Sequence, residues 1–211
     1  MDQALWTELR ASGAALEKLR LFAALAEKWT RSINLISRAT VADLWSRHIE
    51  DSARILTLAP PAPAIWADFG AGGGFPGLVV AVLLQDRGLR TRIVLVESDQ
   101  RKATFLREAA RQLGLPTVIC AERAEAITPL GADVVSARAL APLNMLCEIM
   151  ERHGTPDGMA LFPKGETWQE EVDVARKNWF FDLEAACDPG HKGSAILKLR
   201  NLRRASRDAL A

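Results

Sequence analysis

The residues best placed for chemistry stand between Ile65 and Leu84, where the sequence reads IWADFGAGGGFPGLVVAVLL. An apolar run there breaks into five glycines within Gly70–Gly77 and then resumes. Small residues between a strand and a helix let backbone N–H groups and carbonyls approach a ligand, and the helix N-terminus adds a positive dipole end. Two frames fit. Gly72 to Gly77 satisfies the dinucleotide pattern G-x-G-x-x-G, whereas Asp68, Gly70, Gly72 and Gly74 form an earlier D-x-G-x-G-x-G register. The next apolar run, RIVLVESD, ends in Glu97, a carboxylate where ribose hydroxyls need an acceptor. A nucleoside is indicated, and both a nicotinamide-dependent dehydrogenase and a methyltransferase remain open.

Three cations follow later strands: Arg123 in AERAE, Arg138 in SARALAP and Lys164 in PKG. Ligands of open α/β sheets bind outside the carboxyl ends of the strands, so these cations are expected around one crevice. A guanidinium such as Arg138 suits bidentate contact with a carboxylate or phosphate; its bland alternative is an internal salt bridge with Glu125 or Glu148. The bland alternative for Lys164 is a solvated turn.

The elements that must position these groups can be read from periodicity. Short apolar runs at Ile65–Phe69, Arg92–Val96, Thr117–Cys120, Asp133–Ser136 and Met159–Phe162 alternate with amphipathic helical stretches, which predicts βαβ units around a parallel sheet. Two further strands, Trp179–Ala185 and Ser194–Leu199, flank CDPGHKG and predict an antiparallel finish. Residues 1–59 form an N-terminal helical extension, and APPAPA at Ala59–Ala64 separates it from a domain over 60–211, the two making one compact unit. Within the extension, spacing from Val41 to Ile55 predicts a second helix capped by Thr40. His48 and Asp51 lie three apart on its inward face, either as a buried pair bracing the lobe or as site residues. Trp6, Trp29, Trp45 and Trp66 read as packing residues rather than base-stacking platforms.

Composition narrows the class. With 27 Lys+Arg, 26 Asp+Glu and a net charge of +1, no global field attracts nucleic acid, so any such partner needs a local basic patch. The three cysteines are scattered without metal-ligand spacing, which predicts no metal and a reducing compartment. A charged N-terminus and the lack of a long apolar run predict a cytoplasmic protein without a membrane span.

The segments NLIS, RHIEDS, DFGAGGGFPG, VESDQRKATFLRE, ERAE, SARALAPL and FPKG, in this order, resemble the bacterial small-subunit ribosomal RNA guanine-N7 methyltransferases, also called the glucose-inhibited division protein B family. The likeness runs from Asn34 to Gly165 and continues loosely to the end. It implies an α/β fold: a Rossmann-like, doubly wound, seven-stranded S-adenosylmethionine-dependent methyltransferase core with an antiparallel last strand and an N-terminal helical extension. It implies S-adenosylmethionine as cofactor, S-adenosylhomocysteine as product, and as substrate one guanosine in the decoding region of 16S ribosomal RNA, met as rRNA, as the 30S subunit or as an assembly intermediate, by a monomer.

Carried onto this sequence, Gly70, Gly72, Phe75, Glu97, Ala124, Glu125 and Arg138 would serve the cofactor, and Lys164 and Arg123 the RNA or the active site. Lys164 would then lie against guanine O6 or a phosphate. Pro163 departs from the leucine usual before the family's Lys-Gly, and GHKGSAILKL departs in the last hairpin. Candidate phosphate contacts are Arg101, Lys102 and Arg107 on one helix, and Lys198, Arg200, Arg203, Arg204 and Arg207 in a basic tail. Guanine N7 has a free lone pair, so positioning and electrostatics suffice without a general base. The chain also lacks the Asp/Asn-Pro-Pro-aromatic and Pro-Cys motifs of other base methylators. The competing readings are a methyltransferase of a small molecule or protein, the dehydrogenase, and a non-enzymatic RNA-binding module.

Overall fold

The computed structural model describes residues 1–187 and 193–205. Seven strands form one sheet in the order β3-β2-β1-β4-β5-β7-β6. The first five, β1 (Ile65–Phe69), β2 (Arg92–Val96), β3 (Val118–Cys120), β4 (Ala132–Ala137) and β5 (Gly154–Lys164), run parallel; β7 (Ala195–Arg204) is antiparallel to β5 and to β6 (Trp179–Cys187). The chain order reverses between β1 and β4, so the crevice beyond Phe69 and Ala137 is the switch point where such sheets bind ligands.

Helices cover both faces, which is why β1 and β2 read as continuous apolar runs rather than alternating ones. On one face lie α2 (Gly13–Thr30), α4 (Gly77–Asp86) and α5 (Gln100–Leu113); on the other lie α6 (Leu143–His153) and α7 (Trp168–Ala175). Local chemistry sets their ends. Ser12 caps α2 by accepting from Ala15 N–H, and Asp99 caps α5 by accepting from Arg101 and Lys102 N–H, with Gly114 in the left-handed region closing α5. The short α1 (Gln3–Glu8) is capped by Asp2.

The lobe before β1 shares one buried cluster with the sheet: Phe22 and Leu19, fully buried, pack with Leu78, Phe105 and Leu95. Its second helix differs from expectation. A π-helical turn over Trp45–Glu50, in which Asp51 N–H reaches back five residues to the Ser46 carbonyl, runs into α3 (Asp51–Arg54) and a 3-10 turn (Ile55–Thr57). Thr40 is not its cap. Thr40 ends a 3-10 turn, and its hydroxyl donates to the Ser37 carbonyl at 3.0 Å.

Two strand boundaries also move. β5 begins at Gly154, five residues early, through a register shift against β4. β7 runs to Arg204, so Lys198, Arg200, Arg203 and Arg204 belong to the sheet rather than to a tail. Arg207 and the loop at 188–192 lie outside the described residues. Among the described residues no helix is long and apolar enough to cross a membrane.

Candidate active site: two cavities with a common wall

The glycine loop leaves β1 through Gly70, Gly72 and Gly74, all with φ between +51° and +84°. Its anchors are buried. Gly77 N–H donates to Asp68 Oδ2 at 3.0 Å, Ser136 Oγ donates to Asp68 Oδ1 at 2.6 Å, and Trp66 Nε1 donates to Ser136 Oγ at 2.9 Å. Burial pushes the Asp68 carboxyl up to about 7 against the opposing pull of Ser136, Gly77 and Arg138. Gly77 admits no side chain, because a Cβ would meet Leu95 and lie 2.7 Å from Asp68 Oδ2. Glu97, at the end of β2, accepts from Gly72 N–H at 2.9 Å with Oε2 and from Asp99 N–H at 2.8 Å with Oε1. It braces the loop and still has lone pairs for a ligand.

Gly70, Gly72, Glu97, Arg123, Ala124 and Glu125 line one cavity of about 640 Å³, within the roughly 300–1,000 Å³ of small-molecule sites. Half-buried glycine backbone, a carboxylate beside it and the apolar Leu140 and Met145 in the same lining fit an adenosyl group. Arg123 and Glu125 pair at 3.4 Å on the exposed rim. Phe75 lies outside this lining: it is buried, its ring 4.9 Å from Phe22 and 5.1 Å from His48. His153, fully buried, approaches the Ala124 carbonyl with Nε2 at 3.0 Å, and Arg152 donates to the Ile127 carbonyl at 2.9 Å, so the end of α6 holds the loop that carries Ala124 and Glu125.

A second cavity, also of about 640 Å³, is lined by Arg47, Asp51, Arg54, Arg138 and Lys164. It adjoins the first across Ala139, Leu140 and Ala141, which line both. Ala139 takes a left-handed backbone, φ 53°, and Leu140 lies over Gly70, where a Cβ would be 2.6 Å from Leu140 Cδ1. Arg138 thus lines the second cavity, not the one beside Gly70. Its guanidinium donates to the Arg47 carbonyl at 2.8 Å and lies 3.0 Å from His48 Nδ1, rather than pairing with Glu125 or Glu148. His48 Nε2 meets the Thr40 hydroxyl at 2.9 Å. With that hydroxyl donating to Ser37, Nε2 carries the proton and Nδ1 accepts from Arg138. Burial, then Arg138 and Arg47, push His48 down to about 4, so the imidazole is neutral. His48 braces the lobe, while Asp51 lines the cavity.

Lys164 is not a solvated turn residue. Its side chain is 10% exposed and donates to the Ala141 carbonyl and to Glu171 Oε2, each at 2.7 Å; the same oxygen accepts from Leu143 N–H.

Among the remaining basic candidates, Lys102 and Arg204 both line the first cavity, and the others are spread apart. Lys102 lines the first cavity, Arg101 stands exposed beside Asp99, and Arg107 is exposed further along α5. Arg200 is exposed on β7, Lys198 pairs with Glu184 at 2.8 Å, and Arg203 stacks on Phe180 at 5.5 Å. Arg204 is committed to Glu151 and to the Trp179 ring. Trp66 is buried in the sheet, and Trp6 packs against Trp45 in the lobe, as expected of packing residues. The Ser136 link, His153 and the α1 residues Leu5 and Glu8 on the second cavity escaped sequence reasoning; only the D-x-G frame pointed to Asp68.

Sheet order and glycine loop together define a Rossmann-like fold of the methyltransferase type. Solved structures agree on the fold: a methyltransferase from Geobacter sulfurreducens superposes with a TM-score of 0.56 at 15% identity over 85% of this chain and 87% of that one. A SAM dependent methyltransferase from Aquifex aeolicus gives 0.57 at 11% identity, covering 74% and 92%. The family model described as rRNA small subunit methyltransferase G matches residues 15–192, and the chain belongs to that family. Relatives called ribosomal RNA small subunit methyltransferase G are 45% identical in Cereibacter sphaeroides, over 96% of this chain and 98% of the relative, and 44% identical in Parvibaculum lavamentivorans, over 90% and 85%.

Proposed function

We propose that this protein transfers the methyl group of S-adenosylmethionine to N7 of a guanosine in the decoding region of 16S ribosomal RNA. The observation that carries the reading is the pair of cavities: a nucleoside-type site beside Gly70 and Glu97, and a cation-lined site beside Arg138, on two sides of Ala139–Ala141. S-adenosylmethionine supplies an electrophilic methyl on a sulfonium. Gly70, Gly72, Glu97, Ala124 and Glu125 would hold it, with Arg123 and Lys102 at the rim.

The protein's part is alignment and electrostatics. N7 attacks with its own lone pair, so no side chain need accept a proton, and the buried His48, whose two ring nitrogens are taken by Thr40 and Arg138, suits bracing rather than base catalysis. The purine becomes cationic as the methyl arrives. Lys164 is neutralised by Glu171, and Asp51 places a carboxylate on the cavity wall, so the site does not oppose that charge as a bare ring of cations would. The protein is read as a cytoplasmic monomer acting where small subunits are assembled.

The test incubates the protein with methyl-labelled S-adenosylmethionine and small-subunit rRNA lacking the modification, naked and as 30S particles, then digests the RNA. Label in N7-methylguanosine is expected. Label in another nucleoside, or in neither RNA form despite S-adenosylhomocysteine binding, would redirect the reading to another methyl acceptor.

A further inference from the structure

The second cavity has a wall outside the methyltransferase core. Leu5 and Glu8 of α1 line it together with Arg54 and Arg138, although α1 precedes residues 15–192 that the family model matches. This helix of six residues has few internal hydrogen bonds, so what holds it lies elsewhere. The hold is a buried latch. Glu50, 5% exposed, accepts from Asp2 N–H at 2.6 Å, from Trp45 Nε1 at 2.9 Å and from Trp6 Nε1 at 3.4 Å. Asp2 also pairs with Arg54 at 2.7 Å. Leu5, Trp6 and Leu9 are buried beneath it, and Arg87 donates to the Leu9 carbonyl.

We infer that α1 is part of the acceptor site and selects the RNA, with Glu8 as its selecting residue. Glu8 is exposed and lines the cavity together with Arg47, Arg54 and Arg138, of which Arg54 already pairs with Asp2 at the start of α1. A carboxylate there repels phosphate oxygens and disfavours any RNA whose backbone runs against α1. An extruded nucleotide whose flanking phosphates lie towards Arg47 and Arg138 rather than towards α1 meets no such penalty. This inference rests on the RNA reading given above.

Glu8→Lys in the full chain isolates the effect, and Glu27→Lys, on the exposed face of α2, serves as the control for general positive charge. Methylation of 30S particles is compared with methylation of unrelated structured RNA, alongside calorimetric titration with S-adenosylhomocysteine. Glu8→Lys should lower the ratio of kcat/KM for target over non-target RNA at least fivefold, while Glu27→Lys leaves that ratio within twofold and neither changes S-adenosylhomocysteine affinity. Asp2→Ala, which removes the Arg54 pair and the cap on Leu5 N–H while keeping the backbone bond to Glu50, should raise KM for the 30S particle at least threefold with cofactor affinity unchanged. Equal ratios in Glu8→Lys and the control, or an unchanged KM in Asp2→Ala, would overturn the role of α1. A wild-type protein that binds S-adenosylhomocysteine but labels no RNA would instead overturn the RNA reading, and this inference with it.

Discussion

Arg138 donates a hydrogen bond to the backbone carbonyl of Arg47 at 2.8 Å, which ties the end of β4 to the π-helical turn of the N-terminal lobe. The same guanidinium meets His48, so its removal strips a partner from one buried acceptor and from one exposed carbonyl. Arg138→Ala should cost about 1–3 kcal/mol, read as a melting-temperature drop of roughly 2–12 °C for a domain of this size. Because Arg138 lines the second cavity, turnover on RNA should fall more than tenfold while S-adenosylhomocysteine affinity stays within threefold. A large loss of cofactor affinity in a folded variant would move Arg138 to the cofactor side.

Gly77 is the tightest point of the glycine loop. Gly77→Ala would press a methyl group against Leu95 and Asp68, and overpacking of this kind costs about 1–3 kcal/mol. Since Asp68 holds the start of α4 through Gly77 N–H, the displaced loop should weaken S-adenosylhomocysteine binding at least tenfold in calorimetry. Unchanged binding would mean that the loop geometry does not set cofactor affinity.

His153 reaches the first cavity through the Ala124 carbonyl, which makes it a positioning residue. His153→Leu should weaken S-adenosylhomocysteine binding about five- to tenfold, near 1 kcal/mol for one hydrogen bond, with KM for RNA unchanged. His153→Gln restores a donor and should recover most of the affinity. No recovery with Gln, in a protein that melts normally, would assign the loss to packing against Phe69 instead.

The pH dependence of stability follows from His48. Its folded pKa of about 4 lies below the ordinary 6.5, so the unfolded chain takes up a proton first as pH falls. Stability from this residue is complete above pH 6.5 and is lost progressively down to about pH 4. Asp68, raised to about 7, works oppositely: its folded carboxyl binds the proton more readily, so its contribution declines as pH rises from about 4 to 7. The test is therefore a difference. Thermal melts between pH 4.5 and 7.5 should show His48→Gln losing less stability on acidification than the wild type. Parallel slopes would mean that His48 takes up its proton equally readily in the folded and the unfolded chain.

Sequence reasoning reached furthest where local and global preferences agree. β1 and β2 lie where the apolar runs put them, because strands covered on both faces are apolar almost throughout, β1 being interrupted by the buried Asp68. β5 starts earlier than it reads, since Pro156, Asp157 and Gly158 are poor strand formers that lie in the irregularity between the paired Gly154 and Met159. The π-helical turn at Trp45–Glu50 is invisible to periodicity: apolar residues from Val41 to Ile55 suit an ordinary helix equally well.

At the site, the glycine loop and Glu97 were legible because their chemistry is local to one strand–loop–helix unit. Arg138 was legible as a strand-end cation but not as a partner of Arg47, which lies 91 residues away in sequence and offers only a carbonyl. His153 gave no signal, since it acts on another loop's backbone.

The fully buried Phe22, with its ring 4.9 Å from Phe75 in the glycine loop and 6.5 Å from Phe105 on α5, makes the lobe a structural tenant of the catalytic core. Recombining this core with a foreign N-terminal module, cut at the Pro-Ala segment, would leave Phe75, Leu78 and Phe105 facing water. Chimeras between relatives should therefore exchange the lobe and the glycine-loop face as one inheritance unit, even though the sequence offers its clearest seam between them.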